Sequence, residues 1–330
     1  MIKGIHHVAI VVRDLAAAER FYGAAAAMQT LPVRAAEALC PAAPELIVPG
    51  DTLHRCAVMA GRNFYLELIA QDWPAGLPAV LPTPINRAGI RHFCAQSHDC
   101  SILEQAVEAT GGSLIAPPLD LGTGNQYAYA RDGEGNIMEI EGLPYAPPGE
   151  PTWLGHVAIV TRDMDAATGF YSALLGTELK SRSRVGPGPQ FDRMGGLTGV
   201  ELEGAWLPAG NLQLELWQFH VPASPVEPVA RQFLDPGYSH ICLESDRIEA
   251  DLARLTELGG SVLTGCVEND AIRTAFACDP EGNVIELLEP RRADGPLSIA
   301  ALADPAICNR IEAGRRPDPR GSLRGAVNGS

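Results

Sequence analysis

No uninterrupted apolar run in this chain approaches the ~18 residues that a membrane-spanning helix needs, so no membrane partner is expected. Basic residues are scarce as well: 25 Lys and Arg stand against 40 Asp and Glu, for a net charge of −15. Nucleic-acid binding requires a basic surface, and that class is excluded on the same ground. Small substrates are not constrained by this, because one local Arg can outweigh the global field. Cysteine pairing is also missing. The eight thiols (Cys40, Cys56, Cys94, Cys100, Cys242, Cys266, Cys278 and Cys308) form no Cys-x-x-Cys pair and no tight cluster. Reduced thiols fit that scatter better than a disulfide frame or a zinc knuckle. The opening "MIKGIHHVAIVV" lacks the long hydrophobic region and cleavage site of a secretory signal, and a cytoplasmic location is expected. What remains is a globular profile of 330 residues, 46% hydrophobic and 20% charged, long enough for two domains with their own cores.

The chain repeats itself. At an offset of 149, "HVAIV" at His7 to Val11 falls on the same five letters at His156 to Val160. Arg13-Asp14 falls on Arg162-Asp163, and Phe21-Tyr22 on Phe170-Tyr171. Further along, "GIRHFCAQ" (89–96) matches "GYSHICLE" (237–244), and "RDGEGNIMEIE" (131–141) matches "CDPEGNVIELLE" (278–289). Each copy divides again: an alternating apolar run, an Asp able to cap a helix, a helical pattern, then further strand-like runs. The unit predicted is β-α-β-β-β, present four times. Residues 1–143 form an N-terminal domain and 153–290 a C-terminal one, joined by a Pro-rich linker at 144–152. From 291 to 330 the pattern stops; an irregular tail is expected there, with room for one short helix around Ile299 to Leu302.

Four polar residues recur at matching places in the two copies. His7, Glu67, His92 and Glu139 are spaced by 60, 25 and 47 residues; His156, Glu215, His240 and Glu286 by 59, 25 and 46. Each His lies in the first strand of a unit and each Glu in a late apolar strand. A lone carboxylate in "LQLELWQ" is costly to bury, and pairing or metal coordination is the usual relief. Two imidazoles and two carboxylates suit a divalent ion with positions left open for substrate or water: Fe, Mn, Co, Ni or Zn. Strand alternation puts His6 on the face opposite His7. Glu141 shares a face with Glu139 as a spare carboxylate. Cys94 and Cys242 face the same pocket, where packing is the expected role.

On these motifs the chain resembles the vicinal-oxygen-chelate superfamily. Members include glyoxalase I, methylmalonyl-CoA epimerase, extradiol ring-cleaving dioxygenases and metal-free bleomycin-binding proteins. The likeness covers about 4–142 and 153–290, carried by "GHVAIVTRDMDAATGFYSALLG" and "DPEGNVIELLEP". It implies an α+β fold in which four βαβββ modules form two incomplete β-barrels, with a metal in the mouth of each working barrel. It also implies ligands on the first and last strands of each module, which are the residues named above. His156, Glu215, His240 and Glu286 are expected to form the working site, with His7, Glu67, His92 and Glu139 as a second. The C-terminal copy is favoured because it keeps the helix ending "FYSALLGTEL" and a Gly/Pro-rich loop, Val185 to Gly199, suited to closing over a substrate. The matching stretch of the first copy, "AAEALCPAAPELIVPG", is a less obvious binding loop.

Two chemistries follow from the resemblance. In the glyoxalase and epimerase branch, an isomerase or lyase chemistry, the metal polarises a carbonyl or enediolate, and Glu286 or Glu215 moves a proton on the adjacent carbon. In the dioxygenase branch, His156, His240 and Glu286 hold Fe(II), and Glu215 counts against it because that branch leaves the position without a ligand. Binding without catalysis is the third reading. Phe191, Trp206, Trp217, Tyr127 and Tyr129 suggest an apolar, aromatic-lined pocket for a small-molecule substrate. Arg193 and Arg273 are candidates to hold a carboxylate, and His220 is read as a surface residue. Monomer and homodimer are both compatible with a tandem fusion.

Overall fold

The computed structural model describes residues 1–39, 54–71, 82–226 and 232–315. Four βαβββ modules are present. The first comprises β1 (Ile2–Val12), α1 (Leu15–Ala25), β2 (Gln29–Thr30), a short α2 (Val33–Leu39), β3 (His54–Ala60) and β4 (Tyr65–Gln71). The second runs through β5 (Gly89–Ser97), α3 (Cys100–Ala109), β6 (Ser113–Leu114), β7 (Gln126–Arg131) and β8 (Ile137–Gly142). The third has β9 (Trp153–Val160), α4 (Met164–Leu175), β10 (Ser181–Val185), α5 (Pro189–Gly195), β11 (Glu201–Ala209) and β12 (Leu212–Val221). The fourth has β13 (Gly237–Ser245), α6 (Ile248–Glu257), β14 (Ser261–Val262), β15 (Val267–Glu268), β16 (Ile272–Cys278) and β17 (Val284–Pro290).

The first helix of each half starts at the aspartate that the sequence offers as its cap. Asp14 accepts from Ala17 N at 2.9 Å and Asp163 from Ala166 N at 3.0 Å, satisfying backbone donors that the first turn leaves free. The endings differ. In α4 the cap is Gly176 in the left-handed region, φ 69°, a conformation glycine adopts at little cost. After α1 the chain instead forces Ala27 to φ 51°.

The modules do not pair as the sequence halves suggest. One sheet runs β14-β16-β17-β13-β1-β4-β3-β2, with β15 on β16, and so joins the first module to the fourth. The other, β10-β11-β12-β9-β5-β8-β7-β6, joins the third to the second. The seam of each sheet is an antiparallel pair of first strands, β1 with β13 and β5 with β9, each flanked by its own module's last strand in parallel. Among the described residues neither sheet closes into a barrel. The expected boundary between 1–143 and 153–290 therefore separates the two copies in sequence but divides no sheet from another.

Within each half the modules are tied at their backs. Tyr22 OH donates to Asp132 at 2.9 Å and Tyr171 OH to Asp279 at 2.7 Å. This accounts for the recurrence of Phe-Tyr and of the Asp-x-Glu-Gly-Asn turn. Glu134 accepts from the N–H groups of Arg13 and Asp14, as Glu281 does from Arg162 and Asp163. One core takes side chains from both sheets and from α1, α3, α4 and α6, including Phe21, Leu103, Leu174 and Leu255.

The C-terminal stretch has the short helical turn expected near Ile299 and is packed up to Arg315 rather than irregular around it. A 3-10 turn at Ile299–Ala301 buries Leu297, Ile299 and Leu302, and α7 (Ile307–Glu312) buries Ile307, Cys308 and Ile311 against Leu143 and Trp153. Its periodic apolar residues were too few to read as a docking element. Cys40 with the rest of 40–53, and the remainder of the tail, lie outside the described residues. Among the described residues no helix is long and apolar enough to cross a membrane.

Candidate metal centres

Because sheets join modules across the halves, the eight site residues sort differently from the expectation. His7, Glu67, His240 and Glu286 meet on the first sheet; His92, Glu139, His156 and Glu215 meet on the second. The expected quartets, one per half, do not form, and neither does the triad His156, His240, Glu286. The physical reason is the seam: each site needs two first strands side by side, and β1 lies beside β13 while β9 lies beside β5.

In the first quartet His7 Nε2 lies 3.1 Å from Glu286 Oε2 and 3.5 Å from Glu67 Oε2, and His240 Nε2 is 3.4 Å from each carboxylate. Burial works to lower His7, but Glu286 and Glu67 outweigh it and raise it to about 9. Against the same burial, His240 and His7 hold Glu67 at about 2 and Glu286 below the usual carboxylate range. Thr274 Oγ1 donates to Glu286. Aromatic rings enclose this site: Phe233 stacks on His240 with centroids 5.3 Å apart, and Phe276 meets it edge-on at 5.3 Å.

The second quartet is drawn together more completely, with one ligand atom from each of four buried residues within 4.8 Å of the others. His156 Nε2 is 2.8 Å from Glu139 Oε2 and 3.4 Å from Glu215 Oε2; His92 Nε2 is 3.3 Å and 3.6 Å from the same atoms. Burial lowers His156, yet Glu215 and Glu139 raise it to about 9. Glu139 is buried but held below its usual range by His156 and His92. Both nitrogens of His92 and Oε2 of Glu215 are buried without a hydrogen-bond partner. Stranding such groups costs about 1–3 kcal/mol each, and a cation between them would satisfy the Nε2 and Oε2 atoms together. The residues fit a divalent ion in donor type, number and convergence.

A cavity of about 960 Å³ opens on this second quartet, lined by Glu139, His156 and Glu215. Tyr127, Tyr129, Trp206, Trp217 and Phe191 all face it, as the sequence suggested, and Phe219 joins them. The Val185–Gly199 loop lines it too, but carries a short helix, α5. Tyr129 is buried with its hydroxyl unpartnered, and its ring is 5.3 Å from that of His92. Its register partner is Glu139, the position that Phe276 holds opposite Glu286 in the other sheet.

Other expectations need correction. Arg273 is engaged by Glu249, Glu268 and Glu289, away from the cavity. Arg193 is exposed and His220 is half-buried, 3.8 Å from Glu203. Cys94 and Cys242 are buried, in keeping with packing, and burial with nearby carboxylates pushes both thiols up. His6 is not remote from His7. A bulge between Ile5 and His7 breaks the alternation, and the two Nδ1 atoms meet at 2.8 Å. Burial beside His7 lowers His6 to about 3. Glu141 is more than a spare: it is buried on the cavity wall, accepting from Gln96, Asn125 and Arg315. Only the adjacent pair "HH" and the second Glu of "EIE" could have signalled these roles.

Residues 153–287 match the Glyoxalase/Bleomycin resistance protein/Dioxygenase superfamily. The anthracycline biosynthesis protein DauV of Streptomyces sp. (strain C5) is 27% identical over 216 residues, 60% of this chain and 67% of its own. Glyoxalase I from Zea mays superposes with a TM-score of 0.58 at 19% identity, covering 87% of this chain and 92% of the maize protein. A protein described as a dioxygenase from Bacillus subtilis subsp. subtilis str. 168 gives 0.56 at 13% identity, covering 98% and 99%. The C-terminal copy therefore matches that superfamily in sequence, and the whole chain, with its four βαβββ modules and two His/Glu quartets, shares the fold of glyoxalase I.

Proposed function

We propose that His92, Glu139, His156 and Glu215 hold one divalent metal ion, and that the protein is an isomerase- or lyase-type enzyme moving a proton next to a substrate carbonyl. The observation that carries this reading is the convergence of four ligating side chains, with His92 Nε2 and Glu215 Oε2 unsatisfied, on a large cavity. When bound, such an ion supplies positive charge beside the carbonyl oxygen and makes the neighbouring C–H more acidic. Of the two carboxylates expected to move the proton, Glu215 lines the cavity and Glu286 sits in the other quartet, so Glu215 is assigned the role. His156 and His92 hold Glu139 below its usual range, which suits it to ligation. The Tyr129 hydroxyl, buried and without a protein partner on the cavity wall, is placed to donate to a substrate oxygen. Burial and the charges of Glu139 and Glu215 keep it protonated.

The walls support a planar aromatic substrate. Trp206, Trp217, Tyr127 and Phe191 exclude water and offer flat faces, and about 960 Å³ is at the upper end of small-molecule pockets. The relative named for anthracycline biosynthesis supports the same class. The first quartet, walled by Phe233 and Phe276, is assigned a structural role, in keeping with closed structural and open catalytic sites.

The test is metal content and D2O exchange into an aryl α-hydroxyketone, followed by NMR. Wild type is compared with His92→Ala/Glu215→Gln and with His7→Ala/Glu286→Gln. Loss of exchange only in the first variant supports the assignment. Exchange lost only in the second variant refutes it, and bound iron with oxygen uptake on a catechol would establish ring cleavage instead.

A further inference from the structure

The C-terminal stretch belongs to none of the four modules, yet it runs behind both quartets. At the first, Leu297 O accepts from His6 Nε2 at 2.7 Å, and His6 Nδ1 meets His7 Nδ1 at 2.8 Å. A carbonyl can only accept, so a neutral His6 carries its proton on Nε2 and offers Nδ1 as an acceptor. His7 then donates from Nδ1 and turns Nε2 toward Glu67 and Glu286. Tyr65 steadies this relay: its ring stacks on His6 at 4.6 Å, and its hydroxyl donates to Ser298 O at 3.1 Å.

At the second quartet the position of His6 is held by Gly155, and Glu141 stands where the fourth module has Leu288. One oxygen of Glu141, Cys94 Sγ and a nitrogen of His156 lie within 4.8 Å of one another. That range suits ionic attraction or one bridging water. Three donors fix the carboxylate: Gln96 Nε2 at 2.5 Å, Asn125 Nδ2 at 2.9 Å and Arg315 Nη2 at 3.0 Å. Gln96 cannot turn over, because its Oε1 accepts from Trp153 Nε1 at 2.7 Å. Arg315 comes from the C-terminal stretch, which also sets Cys308 Sγ 3.2 Å from Gly155 O, next to His156.

We propose that His6 and Glu141 are positioning residues, one behind each quartet, which orient His7 and His156 for a metal ion, and that residues 297–315 are their shared anchor. The inference rests on reading the quartets as metal centres. Hydrogen bonds behind a ligating histidine fix its ring and tautomer, and losing one weakens metal binding by about 10–100-fold. One site uses an imidazole and the other a carboxylate. Each substitution therefore acts on its own site, which general loosening of the fold would not do.

The experiment titrates the full-length protein with Co(II) against a competing chelator, reading both sites by their visible spectra. Glu141→Gln and Arg315→Met weaken the second quartet by about 10–100-fold and change its spectrum, leaving the first within about twofold. His6→Phe, which keeps a ring to stack on Tyr65, does the reverse. Arg315→Lys restores part of the loss. Equal weakening at both sites, or changes under about twofold throughout, overturns the proposal. Nitrogen-15 NMR of the metal-free protein gives a second readout, in which Glu141→Gln shifts the His156 ring signals and His6→Phe those of His7. A wild type that takes up no Co(II) refutes the metal reading of the quartets, while the ring signals still decide whether His6 and Glu141 position their partners.

Discussion

Crossed pairing of the modules makes a prediction that a one-site-per-half arrangement contradicts. His156 Nε2 and Glu139 Oε2 are 2.8 Å apart and buried, although they come from different halves of the chain. Removing one partner of such a pair leaves an uncompensated buried charge and costs about 3–5 kcal/mol. Removing both leaves His92 and Glu215 as a balanced pair with no excess charge, so the double variant should fall short of the sum by about 2–3 kcal/mol, the range of directly coupled pairs. His156 and Glu286 lie in the same half but in different quartets and share no ligand partner. Their double variant should be additive within about 0.5 kcal/mol. Urea denaturation in EDTA of wild type, His156→Ala, Glu139→Ala, Glu286→Ala and the two doubles supplies both cycles. Coupling of His156 to Glu286, with none to Glu139, would refute the crossed arrangement and restore one site per half.

Other expectations are simpler to state. An alanine Cβ at Gly155 would collide with the Gln96 amide, which is tied to Trp153 and Glu141. Gly155→Ala should cost about 2–4 kcal/mol through those buried hydrogen bonds, and an unchanged denaturation midpoint would contradict this. Ala27 sits at φ 51°, so Ala27→Gly should stabilise the chain by up to about 1 kcal/mol despite the added backbone freedom; destabilisation would show that the turn is unstrained. Tyr129→Phe should slow turnover by about tenfold or more while leaving stability unchanged or slightly higher, since the hydroxyl it removes has no partner. Full turnover in that variant would remove Tyr129 from the reaction. In the metal-free protein His156 is raised from 6.5 to about 9. Its ion pairs stabilise fully below about pH 6.5 and fade as pH rises through 9. Metal uptake needs the neutral ring, so affinity should climb over the same interval with proton release, measured as buffer-dependent calorimetric heat. Affinity that falls between pH 7 and 9 would exclude His156 as a ligand.

Much of the molecule was legible as sequence. Alternating apolar runs, capping aspartates and the duplicated Phe-Tyr and Asp-x-Glu-Gly-Asn motifs determined the four modules, because strand alternation and helix capping are local effects. The same repeats picked out the eight candidate ligands, since buried His and Glu on apolar strands need partners. Which ligands share a site was decided only in three dimensions. The four first strands, "HHVAIV", "RHFCAQ", "GHVAIV" and "SHICLE", are near-interchangeable edges, and hydrogen-bond ladders between such strands carry little sequence preference. Their partners are chosen by how the tyrosine-stapled backs and the shared core stack. The bulge that swings His6 onto His7 and the reach of Arg315 to Glu141 belong to the same category. Both are contacts between residues far apart in sequence, set by packing that no single stretch of the chain encodes.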